Sequence, residues 1–405
     1  MQKDKKTPQN IVIVGGGFAG LKTALELARQ QHVAVTLVSD RPDFIYYPTL
    51  YRTATGGADE QSAIPLIDML AETAVTLVID SVVTVDKTAK TITLQSRHKL
   101  AYDQLVLALG VTTNYFGIPG LKENSYGIKS IDEALRLKRH LHALLLAENQ
   151  PDTHYIVVGG GPTGIELAGA LSWYLRDIIK KHGIKGRVPH IDLVEAAPSL
   201  MPRLPKQVGK SIAKRLRKLN VKLHLNSKVE GASADELTVN GKPLRSHTIV
   251  WTAGVANNPF FAANDFALSP RGKVLVDEFL RAEGSKDIFV LGDNAETPFS
   301  GMAQTALYDA EFYAHNVRFA AEDRPKLAYK PKEPIYVTPV GPRWASVEWG
   351  RWYFDGKIGW MLRNSADVGA FLELQSPLDA AEQFTTVFDR EDLCPVCGHF
   401  TNQMY

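Results

Sequence analysis

The sequence predicts an α/β protein: two doubly wound Rossmann-type domains followed by a small C-terminal module. Three observations predict it. Gly15-Gly16-Gly17-Phe18-Ala19-Gly20 follows an apolar run at 11–14. Gly159-Gly160-Gly161-Pro162-Thr163-Gly164 follows a second apolar run at 155–158. Beyond residue 331 the composition changes, with Trp344, Trp349, Trp352 and Trp360 set among several glycines. Both glycine segments have the order strand, G-x-G-x-x-G, helix of a dinucleotide-binding βαβ unit. The first glycine makes the tight turn, the second lets backbone N–H groups approach a pyrophosphate, and the third lets the helix pack close to the strand. Gly15, Gly17 and Gly20, and Gly159, Gly161 and Gly164, are therefore candidate cofactor-binding residues. One such loop is a weak signal. Two in one chain imply two dinucleotides, and the economical pair is a flavin and a nicotinamide held face to face.

Composition narrows the remaining classes. A chain of 405 residues has room for two or three domains with proper cores. Hydrophobic content of 45% and charged content of 22% are those of an ordinary globular protein. The net charge of +2 gives no reason to expect a nucleic-acid partner. No apolar stretch reaches the roughly 18 residues of a membrane-spanning helix. Residues 1–10 are polar and basic, which reads as a short leader rather than a signal peptide. The two cysteines, Cys394 and Cys397, build no disulfide framework, which suits a reducing cytosol.

The first unit reads as strand 11–14, helix 19–30 and strand 35–39. Asp40 lies where a carboxylate can bind a ribose hydroxyl, and Ser39 competes for that position. The aromatic, proline-containing loop from Phe44 to Tyr51 suits either a cover for an isoalloxazine ring or plain core packing. Segments 75–85, 91–95 and 104–109 read as strands, the last ending in Ala108-Leu109-Gly110, where small residues admit a cofactor. Residues 113–120 read as a crossover and 131–146 as a helix. The second unit is strand 155–158, helix 164–175, strand 190–194 and then Glu195. A carboxylate there pairs with the ribose hydroxyls of NAD and repels the 2′-phosphate of NADP. Lys206, Lys210 and Arg203 further on can offset that repulsion. Strand 249–255 ends in small residues that include Gly254, near the expected nicotinamide. Strand 287–291 ends in Gly292-Asp293, where an acid can accept a hydrogen bond from a flavin ribityl chain. The helix expected at 302–320 would point its positive end at the flavin pyrimidine ring.

This set of motifs resembles the type II NADH dehydrogenases, the single-subunit, FAD-containing, non-proton-pumping NADH:quinone oxidoreductases. The resemblance spans about residues 1–330. It includes Glu166 in the second glycine-loop helix and Ala303-Gln304-Thr305-Ala306-Leu307-Tyr308, similar to the family's quinone-site motif. It implies an FAD domain (1–115 and 256–330) split by an NADH domain (116–255), with 331–405 as a membrane-surface anchor or dimerisation region. Gly15, Gly17, Gly20, Ser39, Asp40, Val82, Ala108, Gly110, Gly292 and Asp293 would hold FAD. Gly159, Gly161, Gly164, Glu195 and Gly254 would hold NADH. The expected catalytic residues are Glu166, facing the flavin–nicotinamide contact, with Gln304 and Tyr308 on the quinone side. Glu166 also fits the plainer role of a helix N-terminal acid. NADH would reduce the flavin, which would pass two electrons to menaquinone or ubiquinone. The resemblance further implies a homodimer in the cytoplasm, peripheral on the inner face of the cell membrane.

Three departures stand out. Tyr308 replaces the family's second glutamine. Ser39 aligns with its strand-end acid, Asp40 being displaced by one residue. The membrane-anchor pattern shrinks to Lys357-Ile358-Gly359-Trp360-Met361-Leu362-Arg363, followed by an acidic tail containing Glu373, Asp379, Glu382, Asp389, Glu391 and Asp392. Cys394-Pro395-Val396-Cys397, with His399 behind it, has half the spacing of a zinc site, and no metal is assigned. Sulfide:quinone chemistry needs cysteines in the body of the chain, and residues 1–393 contain none. A soluble reductase of a small electron-carrier protein and an NADH-sensing interaction protein are the competing readings.

Overall fold

The computed structural model describes residues 8–146 and 153–386. Its centre is two all-parallel sheets. The first has the order Ile288–Val290, Gln104–Leu107, Gln9–Val14, Val33–Ser39, Thr76–Ile79. The second has the order Val221–His224, His190–Val194, His154–Val158, Thr248–Trp251. Parallel strands covered on both faces need apolar side chains on both. Ile11, Ile13, Leu37 and Val106 accordingly pack into one core with Leu21 and Leu27 of the helix Phe18–Ala28. The alternate residues Val12, Val14, Val38, Leu105 and Leu107 enter a second core on the other face. Each such buried aliphatic side chain is worth roughly 1.5–3 kcal/mol. The second sheet repeats the scheme, with Tyr155, Val157, Ile191 and Leu193 on one side and Ile156, Val158, Val194 and Trp251 on the other.

Chain order and spatial order differ where it matters. Strand Ile288–Val290 follows the whole second sheet in sequence yet pairs with Gln104–Leu107 of the first. A two-stranded antiparallel ribbon, Val111–Thr113 with Val255–Asn257, marks the two crossings between the sheets. Small antiparallel sheets flank each half: Val82–Asp86, Thr91–Leu94 and Lys99–Ala101 beside the first, and Val229–Ala232, Glu236–Val239 and Lys242–Arg245 beside the second.

Two expected strands are broken. The run 75–85 divides into Thr76–Ile79 and Val82–Asp86. Asp80 ends the parallel ladder because its Oδ1 captures the Ser81 N–H at 2.7 Å. The run 249–255 divides into Thr248–Trp251 and Val255–Asn257, which belong to different sheets. Thr252 Oγ1 donates to Val158 O at 2.7 Å, and Gly254 O accepts from the Asn114 N–H, so the chain turns between them. The helix expected at 164–175 runs from Pro162 to Lys181. Its proline stands in the first turn, where a missing N–H costs nothing.

Beyond residue 331, strands Tyr336–Pro339, Ala345–Trp349 and Trp352–Gly356 form an antiparallel sheet, followed by helices Lys357–Leu372 and Pro377–Thr386. This segment shares its core with the rest of the chain. Phe371, Leu374 and Ala380 join the first core, and Val340 joins that of the second sheet. Cys394, Cys397 and His399 lie outside the described residues.

Candidate active site

The two glycine loops have matching geometry. Gly15 (φ +115°) and Gly159 (φ +122°) adopt backbone that L side chains rarely take. A Cβ on Gly20 would lie 1.8 Å from Gly15 O, and one on Gly164 2.0 Å from Gly159 O. Each third glycine therefore lets its helix press on its own loop. Gly17 and Gly161, at the helix N-caps, face open space, with nothing within 4 Å of an added Cβ. Neither helix N-terminus has a side-chain cap. Its first-turn N–H groups and positive dipole end are the donors a pyrophosphate requires. These are cradles that fit two dinucleotides.

The strand-end residues beside the cradles differ in chemistry. Ser39 is buried, with its Oγ 2.5 Å from the place a Gly16 Cβ would occupy, and donates to Arg41 O at 2.7 Å. Asp40 is exposed and pairs with Arg41 at 3.2 Å. Glu195 turns back onto its own loop: it accepts from the Gly160 N–H and, at 2.6 Å, from the Ala197 N–H. Val82 starts the outer strand Val82–Asp86 and is half-buried. Gly254 is closed in, since an added Cβ would meet Phe116 at 2.5 Å and Asn114 O at 2.7 Å.

Ala108 and Gly110 follow the strand Gln104–Leu107, and a Cβ on Gly15 would lie 2.2 Å from Ala108 O. Gly110 is tied to the turn Gly292–Asn294 through Asn294. That side chain accepts from the Gly110 N–H at 2.9 Å, donates to Gly110 O at 2.7 Å, and reaches Asn257 Oδ1 at 2.6 Å. The turn also carries Asp293, half-buried and close enough to Lys129 and Lys273 to act on both charges. Burial lowers both lysine pKa values, while the negative charge of Asp293 opposes the shift. Lys129 Nζ lies 5.4 Å from the centre of the Tyr47 ring, and Lys273 Nζ donates to Ser300 Oγ, just before the helix Ala303–Ala321.

Glu166 enters from the second glycine-loop helix and meets residues of the other two parts of the chain. Burial is the leading cause that pushes its carboxyl up to about 8; Arg363 and Arg52 oppose the shift and Asp367 adds to it. It is therefore mostly protonated at neutral pH. The helix Lys357–Leu372 delivers Arg363 and Asp367 as a buried ion pair one turn apart. Asp367 also accepts from Tyr46 Oη at 2.6 Å, and Arg363 donates to Pro48 O at 3.3 Å. The Tyr46 ring packs 4.6 Å from that of Phe371, tilted by 37°. Asp367 Oδ2 is buried with no hydrogen-bond partner among the described residues.

Gln304 and Tyr308 lie one turn apart on the helix Ala303–Ala321, and both are engaged by the segment that follows it. Gln304 exchanges hydrogen bonds with the Ile335 backbone at 2.9 and 3.1 Å. Tyr308 Oη donates to Lys330 O at 3.1 Å, and Lys332 Nζ lies 5.9 Å from its ring centre. Asp367, Lys129 and Asn294 were invisible to motif reading, and Arg363, read as the basic end of an anchor pattern, is instead buried against Asp367. Only Asn294 had a nearby signal, the Gly-Asp pair just before it.

Two matched glycine cradles, each following a strand of its own parallel sheet, and a half-buried acid with a raised pKa on the second cradle's helix define a two-nucleotide scaffold. Residues 9–314 match the pyridine nucleotide-disulphide oxidoreductase family. The chain is 31% identical to the type II NADH:quinone oxidoreductase Ndh of Mycobacterium tuberculosis over 76% of this chain and 72% of that protein. It is 28% identical to the type II NADH:quinone oxidoreductase of Staphylococcus saprophyticus over 92% of this chain and 97% of the relative. The fold matches NDH2 of Plasmodium falciparum, solved with NADH, at a TM-score of 0.84 and 18% identity, covering 94% and 97% of the two chains. The chain belongs to the pyridine nucleotide-disulphide oxidoreductases and, among them, to the type II NADH:quinone oxidoreductases.

Proposed function

We propose that this chain oxidises NADH and reduces a membrane quinone through a bound FAD, without pumping protons. The observation that carries this is the pair of matched glycine cradles, with Glu166 on the second cradle's helix and its carboxyl pushed up to about 8. The first cradle is built for a pyrophosphate, which supports FAD over a mononucleotide flavin. Gly15, Gly17, Gly20, Ser39, Ala108, Gly110, Gly292 and Asp293 would hold it, with Asp40 and Val82 at the adenosine end. Gly159, Gly161 and Gly164 would hold NADH, with Gly254 behind them. Glu195, fixed by two backbone N–H groups, supports the choice of NADH over NADPH. When bound, the flavin supplies the redox chemistry, accepting a hydride from NADH and passing two electrons to the quinone.

The chain's own residues orient the partners and manage protons. Glu166, protonated at neutral pH, can donate or regain a proton at its carboxyl. Lys129 and Lys273 set positive charge around Asp293, where it would stabilise negative charge gathered on reduction. Gln304 and Tyr308 form the quinone-side wall. We place the flavin domain at 1–115 and 256–330, the nicotinamide domain at 116–255 and a C-terminal module at 331–405. No helix among the described residues is long and apolar enough to cross a membrane. The module instead exposes Trp352, Ile358, Met361, Leu372 and Leu378, which supports peripheral attachment to the inner face of the cell membrane. A homodimer belongs to the same reading.

Anaerobic stopped-flow mixing tests it. NADH should bleach the enzyme-bound flavin faster than NADPH, and a menaquinone or ubiquinone analogue should restore the colour. Bleaching without reoxidation by either quinone would retract the acceptor half. Sedimentation with and without anionic vesicles tests attachment and oligomeric state.

A further inference from the structure

The segment after the helix Ala303–Ala321 turns back and is stitched along it. Asn316 exchanges hydrogen bonds with the Leu327 backbone at 2.8 and 3.0 Å. Tyr329 Oη donates to Asp309 Oδ1 at 2.6 Å. Tyr308 donates to Lys330 O, and Gln304 is bound at both amide atoms by Ile335. Four attachments thus pair residues 316, 309, 308 and 304 of the helix with 327, 329, 330 and 335 of the strap. Among the described residues three of these helix side chains make no further hydrogen bond, whereas Asp309 reaches further: its Oδ2 accepts the Gly292 N–H at 2.9 Å. Asp309 is fully buried. Gly292 holds φ +67°, and the far end of its turn is fixed by Asn294 on Gly110 and Asn257.

We propose that Asp309 and Tyr329 are positioning residues for the flavin, locking the Gly292–Asn294 turn to the strap that holds Gln304 and Tyr308. This rests on the flavin reading given above. Neither residue needs to touch the ring. A carboxylate has two oxygens, and here each serves one side of the link, the N–H of the turn and the hydroxyl of the strap. The link makes the wall on the quinone side and the flavin turn one rigid body, so displacement of the strap is felt by the turn that presents Asp293. It also depends on charge. Burial raises the Asp309 carboxyl to about 6, opposed by Tyr329, the Gly292 N–H and Lys273, and reinforced by Asp293. Tyr308 faces the Tyr329 ring at 5.8 Å, while Lys22 of the neighbouring helix Phe18–Ala28 pairs with Glu26, Glu311 and Glu373. Protonation below pH about 6 puts a hydrogen on an oxygen that now accepts one, and the link loosens.

The test is FAD binding to the apoprotein, read by quenching of flavin fluorescence between pH 5 and 8, for wild type, Asp309→Asn and Tyr329→Phe. Asparagine keeps one acceptor for the Gly292 N–H but cannot ionise, and phenylalanine removes the strap's donor. The expected result is FAD affinity at least fivefold weaker at pH 7 in both variants. Wild-type affinity should also fall below pH 6, with no such inflection in Asp309→Asn. Affinities within fivefold of wild type in both variants, with an unchanged pH profile, would overturn the inference. If Asp309→Asn does not fold, Tyr329→Phe alone decides by the same threshold. A wild-type chain that takes up no flavin overturns the flavin reading and this inference with it.

Discussion

Glu166 shows how a single position acquires chemistry from its surroundings. Its ordinary carboxyl pKa lies near 4.3, and burial raises it to about 8 here. A raised pKa contributes stability that is fully present below the unfolded value and is lost as pH rises through the folded one. Thermal midpoints of the wild type should therefore fall as pH rises from about 4.3 to about 8, and those of Glu166→Gln should fall less. The same substitution should retain flavin while slowing turnover about tenfold or more, the lower range for loss of a proton-transfer group. Unchanged turnover would remove Glu166 from the mechanism. Glu195 makes the complementary prediction. Replacing it by Gln keeps an acceptor for the Gly160 N–H and removes the charge, so the NADH:NADPH affinity ratio should drop by about tenfold, as expected when one close like charge is removed. Titration of the apoprotein with both nucleotides measures this.

Elements act through how closely they approach each other. The helix Phe18–Ala28 sits where it does because Gly20 has no side chain, and a methyl there would fall 1.8 Å from Gly15 O. Gly20→Ala should displace the helix, destabilise the fold by roughly 1–3 kcal/mol as overpacking does, and lower flavin content per chain. Denaturant unfolding together with the visible absorbance would show both effects. The helix Lys357–Leu372 is held by charge as much as by packing. Removing Asp367 leaves Arg363 buried without its partner, a loss of about 3–5 kcal/mol. Asp367→Ala should cost that much in urea unfolding, and adding Arg363→Met should recover a large part of it. Equal stability of the single and double variants would mean that the pair adds nothing beyond shape.

At the scale of the molecule, three parts of the chain meet around Tyr46 and Glu166. Removing residues beyond 330 strips Phe371, Leu374 and Ala380 from the first core and Val340 from the second. Such a truncated chain should not unfold as one cooperative unit, and calorimetry would reveal it. The two cradles were legible because a dinucleotide turn imposes a glycine spacing that survives in one dimension. The parallel sheets were legible because burial on both faces makes strands apolar throughout. The long-range pairing of Ile288–Val290 with Gln104–Leu107 was implied only by resemblance, since register leaves no local trace. Lys129 and Asp309 left none either, and Arg363 read as part of a surface anchor: each is an ordinary polar residue whose role comes from what folding packs around it. The sequence by itself determined the fold class and the two nucleotide loops, because backbone sterics and hydrophobic periodicity are local, while Glu166 was singled out only by resemblance. Only the tertiary structure decided the raised pKa of Glu166, the engagement of Gln304 and Tyr308 by the strap, and the tie from Asp309 to the Gly292–Asn294 turn. Desolvation and hydrogen-bond partnership depend on what folding brings together, not on what is adjacent in the chain.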